Sequence, residues 1–162
     1  VLLVFRWMKK PDNKVNMNRN SGAVAVLYSS AEKSKDGCFL FVDNGVVSNQ
    51  GFYEVSERLK SQDAVVLDSV AGDGDLFLAC KEQNKKKAEE ITKAFACRIR
   101  VWPLSEEEYK NTPLEGFQNG YILTAGEEKN GKIYVRHART SADMDLNVKR
   151  MEQIRDGILK LV

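Results

Sequence analysis

The sequence predicts an α+β domain with a βαββαβ core, and three observations within residues 37–104 carry that prediction. Apolar runs of strand length occur at Gly37-Cys38-Phe39-Leu40-Phe41-Val42, Ala64-Val65-Val66-Leu67, Leu76-Phe77-Leu78-Ala79-Cys80 and Ile99-Arg100-Val101-Trp102. Between the first two runs, Phe52, Val55 and Leu59 recur at i, i+3 and i+7, which makes residues 51–61 a helix with one apolar stripe. Between the last two, Ala88, Ile91 and Phe95 repeat that spacing over a helix opening near Asn84.

That element order is the split βαβ arrangement of the ferredoxin-like fold. It sets an architecture and not a job, because unrelated activities share it. The whole chain, 1–162, reads as one domain of a size that can bury a real core. To the 37–104 core the sequence adds an N-terminal strand extension over 1–36, and a C-terminal hairpin and terminal helix over 117–162. Leu40, Leu78, Ile91 and Val101 are the expected contacts between the sheet and its two helices.

In chain order, Val1-Leu2-Leu3-Val4-Phe5 reads as a strand closed by the turn residues Pro11-Asp12-Asn13. Residues 15–20 are polar and Asn-rich, a weak return strand or a loop. Gly22-Ala23-Val24-Ala25-Val26-Leu27-Tyr28 reads as a further strand, and polar residues 29–36 lead into the core. Gly72-Asp73-Gly74 is turn chemistry expected to join its flanking strands as a hairpin. Asp73 and Asp75 lack the remaining ligand positions of a calcium loop.

After Trp102-Pro103, Ser105-Glu106-Glu107-Glu108 is a capping box for a short helix, limited by Pro113 and Gly116. Residues 120–124 and 132–135 form a hairpin around Lys129-Asn130-Gly131. A terminal helix opens near Ser141 or Asp143, with Val148, Met151, Ile154 or Arg155, Ile158 and Leu161 as its stripe. Gly157 in its interior costs about 1 kcal/mol against alanine and marks a place for close packing. Hairpin-then-helix occurs three times, but without matching residues at a fixed period.

Bulk properties bound the partners. Net charge is +2 over 162 residues. Residues 1–20 hold five basic residues against Asp12, giving +4, and the rest holds 20 basic against 22 acidic, giving −2. A basic head of this size is more often solvated surface than a phosphate site. No apolar run reaches the length of a membrane span, so no membrane insertion is expected. Cys38, Cys80 and Cys97 are odd in number and lack metal-ligand spacing, which suggests buried, reduced thiols in an intracellular, reducing compartment with the organelle left open. No metal or other cofactor is expected.

Leu40-Phe41-Val42-Asp43-Asn44-Gly45 resembles the first-strand motif of RNA-recognition-motif domains, which are ferredoxin-like. The resemblance covers residues 37–104 and implies Phe41 as a base-stacking residue, with Gly74 and Phe77 near the family's second motif. Asp75 stands there where another aromatic is expected, and no basic residue precedes Gly74. Strand alternation independently places Phe39 and Phe41 on one face, and Phe77 joins them if the first and third strands are neighbours. Open to solvent, such a platform stacks bases. The competing expectation is that the terminal helix covers this face as a lid, since its stripe needs something to pack on.

Lys85-Lys86-Lys87 puts three cations in the first turn of a helix, where the backbone dipole prefers anions. The candidate nucleic-acid-binding residues are therefore Phe39, Phe41, Phe77, Lys85, Lys86 and Lys87. Against this, Glu89 and Glu90 lie four residues on from Lys85 and Lys86, and solvated lysines are the preferred reading.

Tyr134-Val135-Arg136-His137-Ala138 resembles the strand-end Arg-His motif of histidine phosphatases, which implies His137 as a nucleophile. That family needs a second catalytic histidine, and this chain has one histidine in all. No nucleophile–base pair and no phosphate loop stands out, so no catalytic residue is assigned. The reading is a non-catalytic protein-interaction or assembly subunit, with a protein partner or self-association. RNA or other nucleic-acid binding and small-molecule regulatory binding are the alternatives.

Overall fold

A computed structural model of the chain describes residues 17–41, 50–135 and 144–162. It is a mixed α+β structure with a five-stranded sheet and several helices. The first element is helical throughout: a π-helical turn, Met17–Gly22, runs into α1, Ala23–Ala31. The strand expected at residues 22–28 is thus corrected to helix, as is the strand or loop at 15–20 over its described part. A short apolar run does not by itself separate a strand from a buried helix. Here Ala23, Val26 and Ser30 form the buried face, and the Ser30 hydroxyl donates to the Val26 carbonyl at 2.8 Å.

Residues 37–41 are not a strand. The Gly37 N–H donates to Ser34 Oγ at 2.9 Å, so the chain is still completing the turn that follows α1. Leu40 is 45 % exposed and Phe41 54 %, and Phe39 alone packs against the core. The expectation that Leu40 is buried is corrected accordingly. The strand expected at 1–5 lies outside the described residues, as do Ser141 and Asp143.

Then follow α2, Gln50–Leu59, and β1, Asp63–Asp68. Strand β2, Asp75–Lys81, leads through a 3₁₀ turn into α3, Lys85–Thr92, and β3, Ile99–Leu104. A short α4, Glu106–Lys110, precedes β4, Asn119–Lys129, and β5, Lys132–Tyr134. The last element is α5, Val148–Ile158.

The sheet order is β1-β4-β2-β3, with β5 hairpinned onto the end of β4. Strands β1 and β4 run parallel, β4 and β2 antiparallel, and β2 and β3 parallel. The expected hairpin between β1 and β2 is therefore corrected: β4 lies between them. Central strands are buried on both faces, and β4 qualifies, with Tyr121 to Gly126 apolar or small and largely enclosed. The β1–β2 connection is no surface turn either, since Ser69, Val70 and Ala71 are fully buried.

Helices cover both faces. Leu76, Leu78 and Cys80 of β2 and Tyr121, Leu123 and Ala125 of β4 face α1, α3 and α5 through Val26, Ala88, Ile154 and Ile158. Ile91 and Val101 pack on that cluster, as expected of them, without being fully enclosed. On the opposite face Val55 and Leu59 of α2, Tyr109 of α4, Leu114 and Phe117 cover Ala64, Val66, Leu104 and Ile122. The terminal helix thus packs on the Leu76–Leu78–Cys80 face and not on the face of Phe77, which corrects the expected lid. Gly157 does mark close packing, because a Cβ there would run into the Phe95 ring.

Candidate functional site

Side-chain alternation along β2 sends Phe77 to the face opposite Leu76 and Leu78. There it is fully buried, edge-on to Trp102 with ring centroids 5.7 Å apart and beneath the Arg100 guanidinium at 5.1 Å. Phe39 belongs to the cluster on the other face, and Phe41 is exposed. The three phenylalanines do not share an exposed surface, so the open aromatic platform, the alternative to a covered face, is not assembled.

The lysine run opens α3 as expected, but Asn84 does not cap it: its side-chain amide donates to the Gln118 carbonyl at 3.2 Å. Lys87 is spoken for, with its Nζ 2.6 Å from Asp63 Oδ2. Lys85 and Lys86 are exposed. His137 lies outside the described residues.

A different group of cations comes together at the far end of the sheet. An open cleft of about 610 Å³ lies where β2 and β3 begin, beside the first turns of α5. Its walls carry Arg98 and Arg100 from the β3 side and Lys149 and Arg150 from α5, with Asp75 as the single carboxylate among the described residues of the lining. Arg100 is largely neutralised, at 2.6 Å from Glu128 and 3.6 Å from Asp75. Among the described residues Arg98 and Lys149 have no carboxylate partner.

Arg150 is held differently. Its guanidinium donates to the carbonyl oxygens of Gly72 and Gly74, the latter at 2.7 Å. Carbonyl dipoles hold the group in place without cancelling its charge. Asn147 completes the arrangement by capping α5, its Oδ1 accepting from the Arg150 N–H at 3.0 Å, while its own N–H donates to Ala71 O at 2.8 Å. The sequence places the cap near Ser141 or Asp143, so Asn147 was not foreseen.

Cys97 also lines the cleft. Burial raises its pKa, with the Arg150 charge opposing, and burial pushes Cys80 up to about 11. Both thiols are therefore protonated near neutral pH and poor nucleophiles. Cys38 is exposed, which corrects the expectation that all three are buried, and all three are free. No cluster of His, Cys, Asp or Glu suited to a metal ion occurs among the described residues, and no helix among them is long and apolar enough to cross a membrane.

One signal in the sequence could have marked the cleft. Lys149 and Arg150 occupy the first turn of a helix with no acidic residue there, the same conflict with the backbone dipole that singles out Lys85–Lys87. What sequence could not supply was the arrival of Arg98 beside them. The chain matches no protein-family model, no curated protein and no solved structure.

Proposed function

We propose that this chain is a non-catalytic binding domain whose cleft between α5 and the start of β3 takes an anionic ligand. The observation that carries the reading is that, among the described residues, Arg98 and Lys149 stand there without carboxylate partners, beside an Arg150 whose guanidinium is bonded to carbonyls. Like charges gathered in a concave site raise the local potential and favour an anion over water. Guanidinium groups suit phosphate and carboxylate in particular, because their donors form a rigid fork. Of the roles expected from sequence, small-molecule regulatory binding fits best.

The assembly role rests on a smaller feature. Val24 and Tyr28, one helical turn apart on α1, are both exposed, a short apolar stripe of the kind a protein partner covers. RNA binding by an RNA-recognition-motif-like, ferredoxin-like core would have to proceed without Phe77 as a stacking residue, since that ring is buried.

The test is thermal unfolding in sodium phosphate and in sodium chloride at equal ionic strength. A ligand that binds only the folded state raises its stability by mass action. Phosphate should raise the midpoint of the wild-type protein and not that of Arg98→Ala/Lys149→Ala. Equal midpoints in the two salts would overturn the reading.

A further inference from the structure

The four cations of the cleft come from two separated elements. Arg98 and Arg100 belong to the strand side and Lys149 and Arg150 to the helix side, with the cavity between them. Its volume, about 610 Å³, falls within the range of small-ligand pockets. A single tetrahedral anion would fill a small part of it, whereas a longer anion has cations from both elements to meet. Among the described residues no aromatic ring lines the cleft, so they offer no surface on which to stack a nucleobase.

The lysine run, the other basic spot considered among the described residues, is too far away to extend the site. Lys87 is paired with Asp63, which stands opposite Asn119 at the start of β4, and Lys85–Lys87 follow the C-terminal end of β2. The cleft lies at the N-terminal end of that strand. Seven residues of β2 put about 20 Å between the two. They do not form a continuous basic track of the kind that follows a nucleic-acid backbone.

Resting on the anion-binding reading above, we infer that the ligand is a compact small molecule carrying at least two phosphate groups, bridged between the two cationic walls and recognised through those groups and not through a base. Arg98 takes one end and Lys149 the other, with Arg150 as the fixed charge between the wall and the Gly72–Gly74 backbone.

Isothermal titration of the full chain at fixed ionic strength, with EDTA present, tests this with orthophosphate, pyrophosphate, tripolyphosphate, adenosine, ATP and a single-stranded oligonucleotide. Pyrophosphate should bind at least about tenfold more tightly than orthophosphate, the value of one further charge-assisted hydrogen bond. ATP should bind no more tightly than tripolyphosphate, and adenosine not at all. In Arg98→Ala and in Lys149→Ala the preference for pyrophosphate should disappear. Both side chains are exposed and without an ion pair among the described residues, so these variants should keep the fold.

Equal affinity for orthophosphate and pyrophosphate would overturn this inference and leave the anion-binding reading standing. Absence of binding by every anion would overturn both. Adenosine binding, or an oligonucleotide affinity that grows with length beyond tripolyphosphate, would overturn it in favour of nucleotide or nucleic-acid recognition.

Discussion

Arg150 Nη2 donates to the carbonyl oxygen of Gly74 at 2.7 Å, across 76 residues of chain. Together with the Gly72 contact, it satisfies backbone acceptors in a connection whose residues Ser69 to Gly72 are buried. Buried carbonyls left without donors are costly, so the loop can enter the interior only because something reaches it. The same contacts fix one wall of the cleft. Fold and site meet at this side chain.

Arg150→Ala should therefore destabilise the protein by about 2–3 kcal/mol in urea unfolding, the range for losing hydrogen bonds from a charged donor. Arg150→Lys should recover only part of this, because one ammonium cannot present a fork to two carbonyls. An alanine variant as stable as the parent would remove the loop-anchoring role.

Gly157→Ala should be destabilising although alanine is the better helix former by about 1 kcal/mol. The added Cβ meets the Phe95 ring, and overpacking of this kind costs about 1–3 kcal/mol. Combining it with Phe95→Leu should be less costly than the two changes added together, which a double-mutant cycle by denaturant unfolding would measure.

Leu78 and Leu40 both sit in apolar runs of strand character, yet they should respond oppositely. Leu78 is fully buried among the helices, so Leu78→Ala should cost about 2–5 kcal/mol. Leu40 is exposed outside any strand, and Leu40→Ala should stay within about 0.5 kcal/mol of the parent. A large loss at Leu40 would contradict the placement of residues 37–41.

Ser105→Ala removes the hydroxyl half of the capping box of α4, in which Ser105 Oγ accepts from the Glu108 N–H at 3.2 Å, and leaves the backbone half, in which Glu108 Oε2 accepts from the residue 105 N–H at 2.9 Å. The loss should be about 1 kcal/mol near neutral pH. The bonds from the Ser105 backbone and hydroxyl hold the Glu108 pKa below its ordinary value. A carboxylate with a lowered folded pKa contributes above its ordinary pKa and loses that contribution as pH falls through the lowered one. The variant loses only the hydroxyl's share of this, so the gap between variant and parent should narrow slightly on acidification, and a gap independent of pH would count against the bond from the Ser105 hydroxyl to the carboxylate.

What could be read in the sequence was local. The runs at residues 64–67, 76–80 and 99–102 are strands, Phe52-Val55-Leu59 lie on a helix, and Ser105 with Glu108 form their capping box. The Lys129-Asn130-Gly131 turn is present too, with Asn130 and Gly131 at φ of 51° and 72°, the left-handed pair that a tight hairpin needs. Local chemistry decided each of these. Strand order was hidden because nothing near Gly72 or Gly74 records that β4, some fifty residues on, enters between β1 and β2. The α1 segment reads as a strand because Ala-Val-Ala-Val alternates, while its burial follows Ala23, Val26 and Ser30. The cleft was hidden for the same reason as the strand order, since Arg98 and Lys149 meet only through the tertiary fold.

The most direct measurement is a ¹H–¹⁵N correlation spectrum of the full chain titrated with pyrophosphate. Shifts should concentrate on the backbone amides of Gly74, Cys97, Arg98, Lys149, Arg150 and Gln153, which line the cleft, and saturate at one equivalent. Shifts centred on Lys85 and Lys86, or on residues 39–41, or none at all, would contradict the account.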